Sequence, residues 1–346
     1  MFSLISYILR FTKFTTQPRS SHYETLRSCS GQFETLSPKL IGAISQCIPK
    51  LTYDKHKGQS GRVCVIGGSV EYTGAPYFAG ISALRCGADL CTIVTSADAA
   101  TPIKSYSGEL IVLPDFNAVD PAKAITSCLA RYHTVVIGPG LGRDPVKLQI
   151  VEKVLREIKE RKLPLVIDAD GLHLITQRPE IIQGYQKAIL TPNAIEFDRL
   201  FTKVCNKIPN EEEPIMDVKL LAKTLQVTVV LKGSVDIVSN GAYVLVVGTE
   251  TSPRRCGGQG DLLAGFLSIF SYWTHLKRTQ TYDNQQKHLK LYGPTMLAAV
   301  AACAMTRECN RRAFAKCRRA MLASDMIDEI GAVFEDMFGS QTDCQI

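Results

Sequence analysis

Gly257, Gly258 and Gly260 fall within four positions, with Gln259 between them, and Asp261 follows directly. The next residues, LLAGFLSIF, are apolar and of helical length. A helix N-terminus carries unpaired N–H groups and a partial positive charge. Glycines let that backbone close on an anion, so the stretch reads as a phosphate cradle. A carboxylate at Asp261 would repel a phosphate unless it took the proton of a hydroxyl attacking the phosphoryl group. The other reading is a tight turn into a buried helix, with Asp261 serving only the dipole. No GxxxxGK[ST] occurs, which excludes a Walker A loop.

Such a cradle needs a scaffold, and the chain supplies an alternation. RVCVIGGS, LCTIVT, SGELIVLP, HTVVIGPGLG, LPLVIDADGL, AILTPN and TVVLKG read as strands, with helical patterns such as PYFAGISALRCGAD, PAKAITSCLARY and PVKLQIVEKVLREIKERK between several of them. Continuous apolar strands separated by helices predict an α/β fold, a mostly parallel sheet covered on both faces. Ligands then sit at the carboxyl ends of the strands. The unusual residues lie there: Gly138-Pro139-Gly140-Leu141-Gly142, Asp168-Ala169-Asp170-Gly171, the run Thr191 to Leu200, and Lys232-Gly233-Ser234-Val235-Asp236. Asn193 and Glu196, three apart at a helix start, face one way. They fit a Mg²⁺ or phosphate site, with Glu196 acting directly or through water, and equally a capping box. Lys232 offers a cation to a polyphosphate. A lysine at a strand end is expected to face its ligand, so that Lys232→Ala would weaken binding of that polyphosphate with little change in fold. Arg254 and Arg255 beside the cradle suit phosphates. DIVSNGAYVLVV reads as a hairpin about Asn240-Gly241. VIGGS lacks both the GxGxxG pattern and an acidic ribose ligand at the usual spacing, which disfavours a dinucleotide-binding dehydrogenase.

The 346 residues are 45% hydrophobic and 21% charged, as in a globular protein with a large core, and the net charge of +7 gives no strong pull towards nucleic acid. The basic run Arg307 to Arg319 reads as a solvated helix face. Twelve cysteines without a CxxC pair point to a reducing compartment. Cys256 borders the cradle and reads as a packing residue. Residues 291–316 read as one small-residue core helix, too short in its apolar part to span a membrane. HLKRTQTYDNQQKHLK before it reads as a polar loop, the 275–290 loop, and ASDMIDEIGAVFEDMF as a Ser-capped closing helix. Within the leader, residues 1–33, the first 23 hold Arg10, Lys13 and Arg19, many Ser/Thr and no acidic residue, Glu24 being the first. That is the composition of a mitochondrial transit peptide, with a disordered leader and a cytoplasmic protein as the alternative.

GGQGD resembles the GxGD anion-hole motif of the ribokinase-like kinases. The ordered set KGQSGRVCVIGGS, GPGLG, DADGL, TPNAIEFDRL, LKGSVD and RRCGGQGDLLAG resembles the ATP-dependent NAD(P)H-hydrate dehydratases of eukaryotes, over about residues 36–337. The resemblance implies a single ribokinase-like catalytic domain over 36–337, a three-layer sandwich, with 338–346 as a tail. It implies nicotinamide nucleotide repair: ATP-driven dehydration of (6S)-NADHX and (6S)-NADPHX to NADH and NADPH, with ADP and phosphate released and Mg²⁺ as cofactor. It assigns catalysis to Asp261 with Gly258 and Gly260. It assigns the hydrated nucleotide to Gly140, Asn193, Ala194, Ile195, Glu196, Phe197, Asp198, Arg199 and Asp261. ATP falls to Lys232, Gly233, Ser234, Val235, Asp236, Thr251, Ser252, Pro253, Arg254, Arg255, Cys256, Gly257, Gly258, Gln259 and Gly260. It implies small-molecule partners, neither nucleic acid nor membrane, and leaves a homo-oligomer open. A ribokinase-like kinase of a vitamin-type alcohol, or a non-catalytic nucleotide-binding protein, is the alternative.

Overall fold

The computed structural model describes residues 34–280 and 287–339. The leader 1–33, residues 281–286, residues 340–346 of the tail, and with them Cys29 and Cys344, lie outside the described residues. The other ten cysteines are all free thiols.

The ten-stranded sheet is built mainly from nine strands: β1 Arg62–Ile66, β2 Leu90–Val94, β3 Leu110–Leu113, β4 Thr134–Ile137, β5 Leu165–Ile167, β6 Ala188–Leu190, β7 Thr228–Leu231, β8 Asp236–Ser239 and β9 Val244–Val247. They lie side by side as β9-β8-β7-β6-β5-β4-β1-β2-β3. Pairings from β7 through β3 are parallel, while β7–β8 and β8–β9 are antiparallel. The last two strands form the expected hairpin, with Asn240 Oδ1 accepting from the amides of Ala242 and Tyr243.

Alternate strand residues serve opposite faces. Val63, Val65, Ile93, Val136, Val166, Ile189, Val230 and Val247 join one core with helices Gly74–Arg85, Gln259–Gln280, Pro294–Cys317 and Ala323–Phe338. Between them Cys64, Ile66, Val135, Ile137, Leu165 and Ile167 are fully buried on the other face, the side of Pro145–Glu160, Ala194–Cys205 and Pro214–Leu225. Burial on both faces is why these strands read as unbroken apolar runs.

The order reverses between β1 and β4. The chain leaves β1 towards β2 and β3, then returns to lay β4 on the opposite side of β1. A crevice opens at such a switch point beyond the strand ends. Both glycine turns meet there, with the Gly68 amide donating to Pro139 O at 3.0 Å.

Three helix expectations need correction. The polar stretch 275–290 is not a loop at its ends: one helix runs through Gln280 and a short one begins at Lys287. Lys, Arg, Gln and Leu are good helix formers, and polarity there marked exposure, not irregular backbone. The helix expected over 291–316 is broken at Gly293, whose φ is 81°, and restarts at Pro294. The last helix is not capped by Ser324, which lies within it; Asp325 Oδ2 accepts the Leu322 amide at 2.7 Å. No helix among the described residues is long and apolar enough to cross a membrane.

Candidate functional site

The glycine stretch enters a helix as expected. Helix Gln259–Gln280 begins inside it and places Asp261 in the first turn. Gly258 has φ 92°, and a Cβ there would meet Phe78 and Ala323 within 3 Å, so only glycine fits. Gly257 faces open space. Ser82 Oγ donates to Leu262 O at 3.2 Å, tying the start of this helix to Gly74–Arg85.

Three strand ends deliver polar side chains beneath the cradle, two of them charged. Asp168 ends β5 and is buried; Lys232 ends β7, and its Nζ lies 2.7 Å from Asp168 Oδ1. Thr191 Oγ1 donates to the same oxygen at 2.8 Å. A Cβ on Gly260 would come 3.4 Å from Lys232 Nζ and 3.8 Å from Asp168 Oδ2, so the cradle backbone lies directly over this pair. Burial drives the Lys232 pKa down, but Asp168, Glu196 and Asp261 outweigh it and hold the ammonium above its usual range. Burial pushes the Asp261 carboxyl up to about 8; Asp168 adds to the rise and Lys232 opposes it. Burial also raises Glu196, against Lys232, with Asp168 and Asp170 adding. One cation is thus shared by three carboxylates. The expected exposed lysine is largely covered, because its partner is the buried Asp168.

Asn193 and Glu196 form the capping box. The Glu196 amide donates to Asn193 Oδ1 at 3.0 Å and the Asn193 amide to Glu196 Oε2 at 2.8 Å. The box also points Glu196 at Lys232, so the two readings of that spacing describe one residue. Ile195 is 44% exposed beside it, Arg199 is exposed, and Ala194 and Asp198 are partly so. The Phe197 ring is buried against Phe201, so only its backbone can face a ligand.

The second aspartate of DADG turns the other way. Asp170 accepts the Gly142 amide at 2.9 Å and pairs with Arg143 at 3.0 Å. The split is made at Ala169, with φ 46° and ψ −118°, a conformation costing roughly 1–3 kcal/mol outside glycine. Gly138 (φ 124°) lies so close that a Cβ would strike Asp168 O. Gly140 is buried beneath the Tyr72 backbone, while Tyr72 itself is 60% exposed at the rim.

Other side chains expected to hold ATP are already engaged. Arg254 Nε donates to Met321 O at 3.3 Å and Arg255 Nη1 to Ser252 O at 2.7 Å. Cys256 Sγ accepts from Gln259 Nε2 at 3.1 Å and packs on the core. Ser252 is buried, Pro253, Gly233 and Ser234 are exposed, and Val235 is intermediate.

Two residues were missed. Lys147 was read only as part of an amphipathic helix, yet its Nζ donates to Leu141 O at 3.1 Å and Gly68 O at 3.4 Å, joining both glycine turns. Its position one turn inside a helix that follows GPGLG was the available signal. Arg307 is no part of a solvated face: it is buried, with Nε 2.7 Å from Asp236 Oδ2. The small, apolar residues before it placed that helix in the core, and i, i+3 spacing could have shown which arginine turns inward. Asp236 therefore gives its carboxylate to the protein, with Oδ1 also accepting the Gly233 amide at 3.1 Å.

The family model for NAD(P)H-hydrate dehydratase matches residues 63–332. An ATP-dependent (S)-NAD(P)H-hydrate dehydratase of Rattus norvegicus is 47% identical over 86% of this chain and 85% of its own. A ribokinase-like superfamily protein of Enterococcus faecalis, solved as a crystal structure, matches with TM-score 0.70 and 23% identity over 88% of this chain and 96% of its own. An ADP/ATP-dependent NAD(P)H-hydrate dehydratase of Bacillus subtilis, co-crystallised with ATP/Mg²⁺, matches with TM-score 0.65 and 20% identity over 88% and 99%. At these identities the solved structures establish the fold, which is ribokinase-like.

Proposed function

The chain belongs to the NAD(P)H-hydrate dehydratase family, and from that premise we propose how its own residues carry the reaction. It is a lyase of nicotinamide nucleotide repair that uses ATP to dehydrate NADHX and NADPHX. The observation that carries the mechanism is the placement of Asp261 in the first turn of the cradle helix, partly buried and raised to about 8, beside a lysine it shares with Asp168.

Hydroxide is a poor leaving group. The ring hydroxyl oxygen attacks the γ-phosphorus of ATP, Asp261 takes its proton, and ADP leaves. Backbone amides from Gly257 to Gly260 hold the transferring phosphoryl group in fixed orientation. The nitrogen lone pair then expels phosphate from the ring carbon, and loss of a proton from the adjacent carbon restores the dihydronicotinamide. Atoms balance as NADHX plus ATP to NADH, ADP, phosphate and a proton. Lys232 supplies the cation nearest the polyphosphate. A carboxyl with a pKa near 8 matches a base that must gain and release a proton near neutrality.

Mg²⁺ fits this site only in part through protein ligands. No group of three His, Cys, Asp or Glu among the described residues could hold a metal by itself. That suits an ion carried largely by ATP phosphates and waters, with Glu196 reaching it directly or through water. Bound there, the ion would offset phosphate charge.

Two expectations follow. Because the base must be ionised, kcat/KM should climb as pH rises through about 8. A profile that is flat across that range would remove Asp261 from the role. The leader 1–33 is proposed to direct the protein to mitochondria, on the Arg- and Ser/Thr-bearing composition of its first 23 residues, which include no Asp or Glu. Fused to a fluorescent reporter, it should carry the reporter into mitochondria; a reporter that stays in the cytoplasm contradicts this.

A further inference from the structure

We propose that one face of helix Pro294–Cys317 is a clamp that sets the nucleotide half of the site, with Arg307 and Asn310 as its positioning residues. The inference rests on the reading above, that the loops at 232–236 and 251–256 hold ATP.

Arg307 and Asn310 stand three apart and so share a helix face. They are 5% and 2% exposed, so neither can touch a ligand in the cleft. The Arg307 guanidinium and the Asn310 Oδ1 are both spent on the two loops. Arg307 Nε pairs with Asp236, Nη2 donates to Gly233 O at 3.1 Å and Nη1 to Ser234 O at 2.9 Å. Nη1 also lies 3.5 Å from Thr249 O, where the chain leaves β9 for the second loop. One turn on, Asn310 Oδ1 accepts the Thr251 hydroxyl at 2.6 Å and the Ser252 amide at 2.8 Å.

The sheet explains why one helix can do this. Asp236 at the start of β8 pairs with Val247 at the end of β9, so the two loops emerge side by side. Pulled down by their carbonyls, Gly233 and Ser234 stay exposed on the opposite edge. The planar guanidinium suits the task, since its fork can engage a carboxylate and several carbonyls at once. The loop Lys232 to Asp236 carries Gly233 and Ser234 at the surface and would otherwise be loosely held.

The test uses the full chain, titrated with Mg²⁺–ATP by calorimetry, alongside KM values for ATP and NADHX. Asn310→Ala should weaken ATP binding and raise the ATP KM by roughly five- to thirty-fold, since a buried amide and hydroxyl lose their acceptor. The NADHX KM should stay within about twofold, because the turns at Gly68 and Gly140 are untouched. Asn310→Asp keeps the acceptor and should return ATP affinity to within about threefold of the parent. Arg307→Lys keeps the charge facing Asp236 but not the fork, and should show the same selective loss. ATP affinity unchanged in folded Asn310→Ala or Arg307→Lys overturns the proposal. So does an equal loss for ATP and NADHX, which would mark a general structural role. Should Asn310→Ala fail to fold, Arg307→Lys decides by the same criterion. If the parent protein does not turn over NADHX, the functional reading fails, and the ATP titration still judges the clamp.

Discussion

Asp261→Asn is expected to lower turnover by about 10²–10⁴-fold, the usual worth of general acid–base catalysis. Asparagine keeps the size and shape and cannot accept the hydroxyl proton. ATP affinity should survive, because the cradle amides and Lys232 remain, and should tighten where a carboxylate no longer faces phosphates. Stability supplies a second readout. The carboxyl titrates at about 8 in the folded chain and at about 3.9 unfolded. Between those values the folded state holds a proton that the unfolded state has lost, so stability falls as pH rises across the window. Asp261→Asn removes that fall and should raise Tm relative to the parent most at pH above about 8. If Asp261 only served the helix N-terminus, asparagine would do nearly as well, and turnover would stay within a few-fold of the parent. Steady-state kinetics with a melting curve at two pH values distinguishes the two.

Lys232→Ala is expected to weaken ATP binding by roughly ten- to a hundred-fold, the loss of a charge-assisted contact worth about 1.5–3 kcal/mol. The ion pair with Asp168 adds a consequence that was not legible in the sequence. Asp168 is 2% exposed, and removing its cation leaves a buried carboxylate that still accepts from the Thr191 hydroxyl. Breaking one side of a buried pair costs up to about 3–5 kcal/mol, less here because the lysine keeps some solvent access. Lys232→Ala should therefore melt earlier as well as bind poorly. Adding Asp168→Asn should recover much of the melting temperature without recovering ATP affinity. Full ATP affinity in that double variant would remove Lys232 from the nucleotide site.

The sheet was legible because both of its faces are buried: β1, β4 and β5 are unbroken apolar runs, and each ends in glycine or aspartate where the chain must turn. The cradle was legible for the same reason, as glycine spacing followed by an apolar helix leaves few other structures. What the sequence could not reveal was partnership across the fold. Asp168 and Asp170 look equivalent in DADG, yet the positive φ of Ala169 sends one to Lys232 and the other to Gly142 and Arg143. Arg307 looks like its neighbours Arg311 and Arg312, which pair with Glu308 at the surface, yet it turns inward to Asp236. The polar stretch 275–290 misled because composition reports solvent exposure, and helix and loop can share it. Asn193 and Glu196 were ambiguous between cap and ligand because the same hydrogen bonds that cap the helix aim the carboxylate at the site.

The claim on which the mechanism stands is that the ring hydroxyl is phosphorylated before it leaves. NADHX labelled with heavy oxygen in that hydroxyl, incubated with the enzyme, ATP and Mg²⁺, tests it directly by mass analysis of the phosphate released. The account expects the label in inorganic phosphate, one atom for each NADH formed, with no phosphorylated nucleotide accumulating. Label appearing in water would mean that the hydroxyl departs without accepting a phosphoryl group, and would contradict both the mechanism and the role given to Asp261.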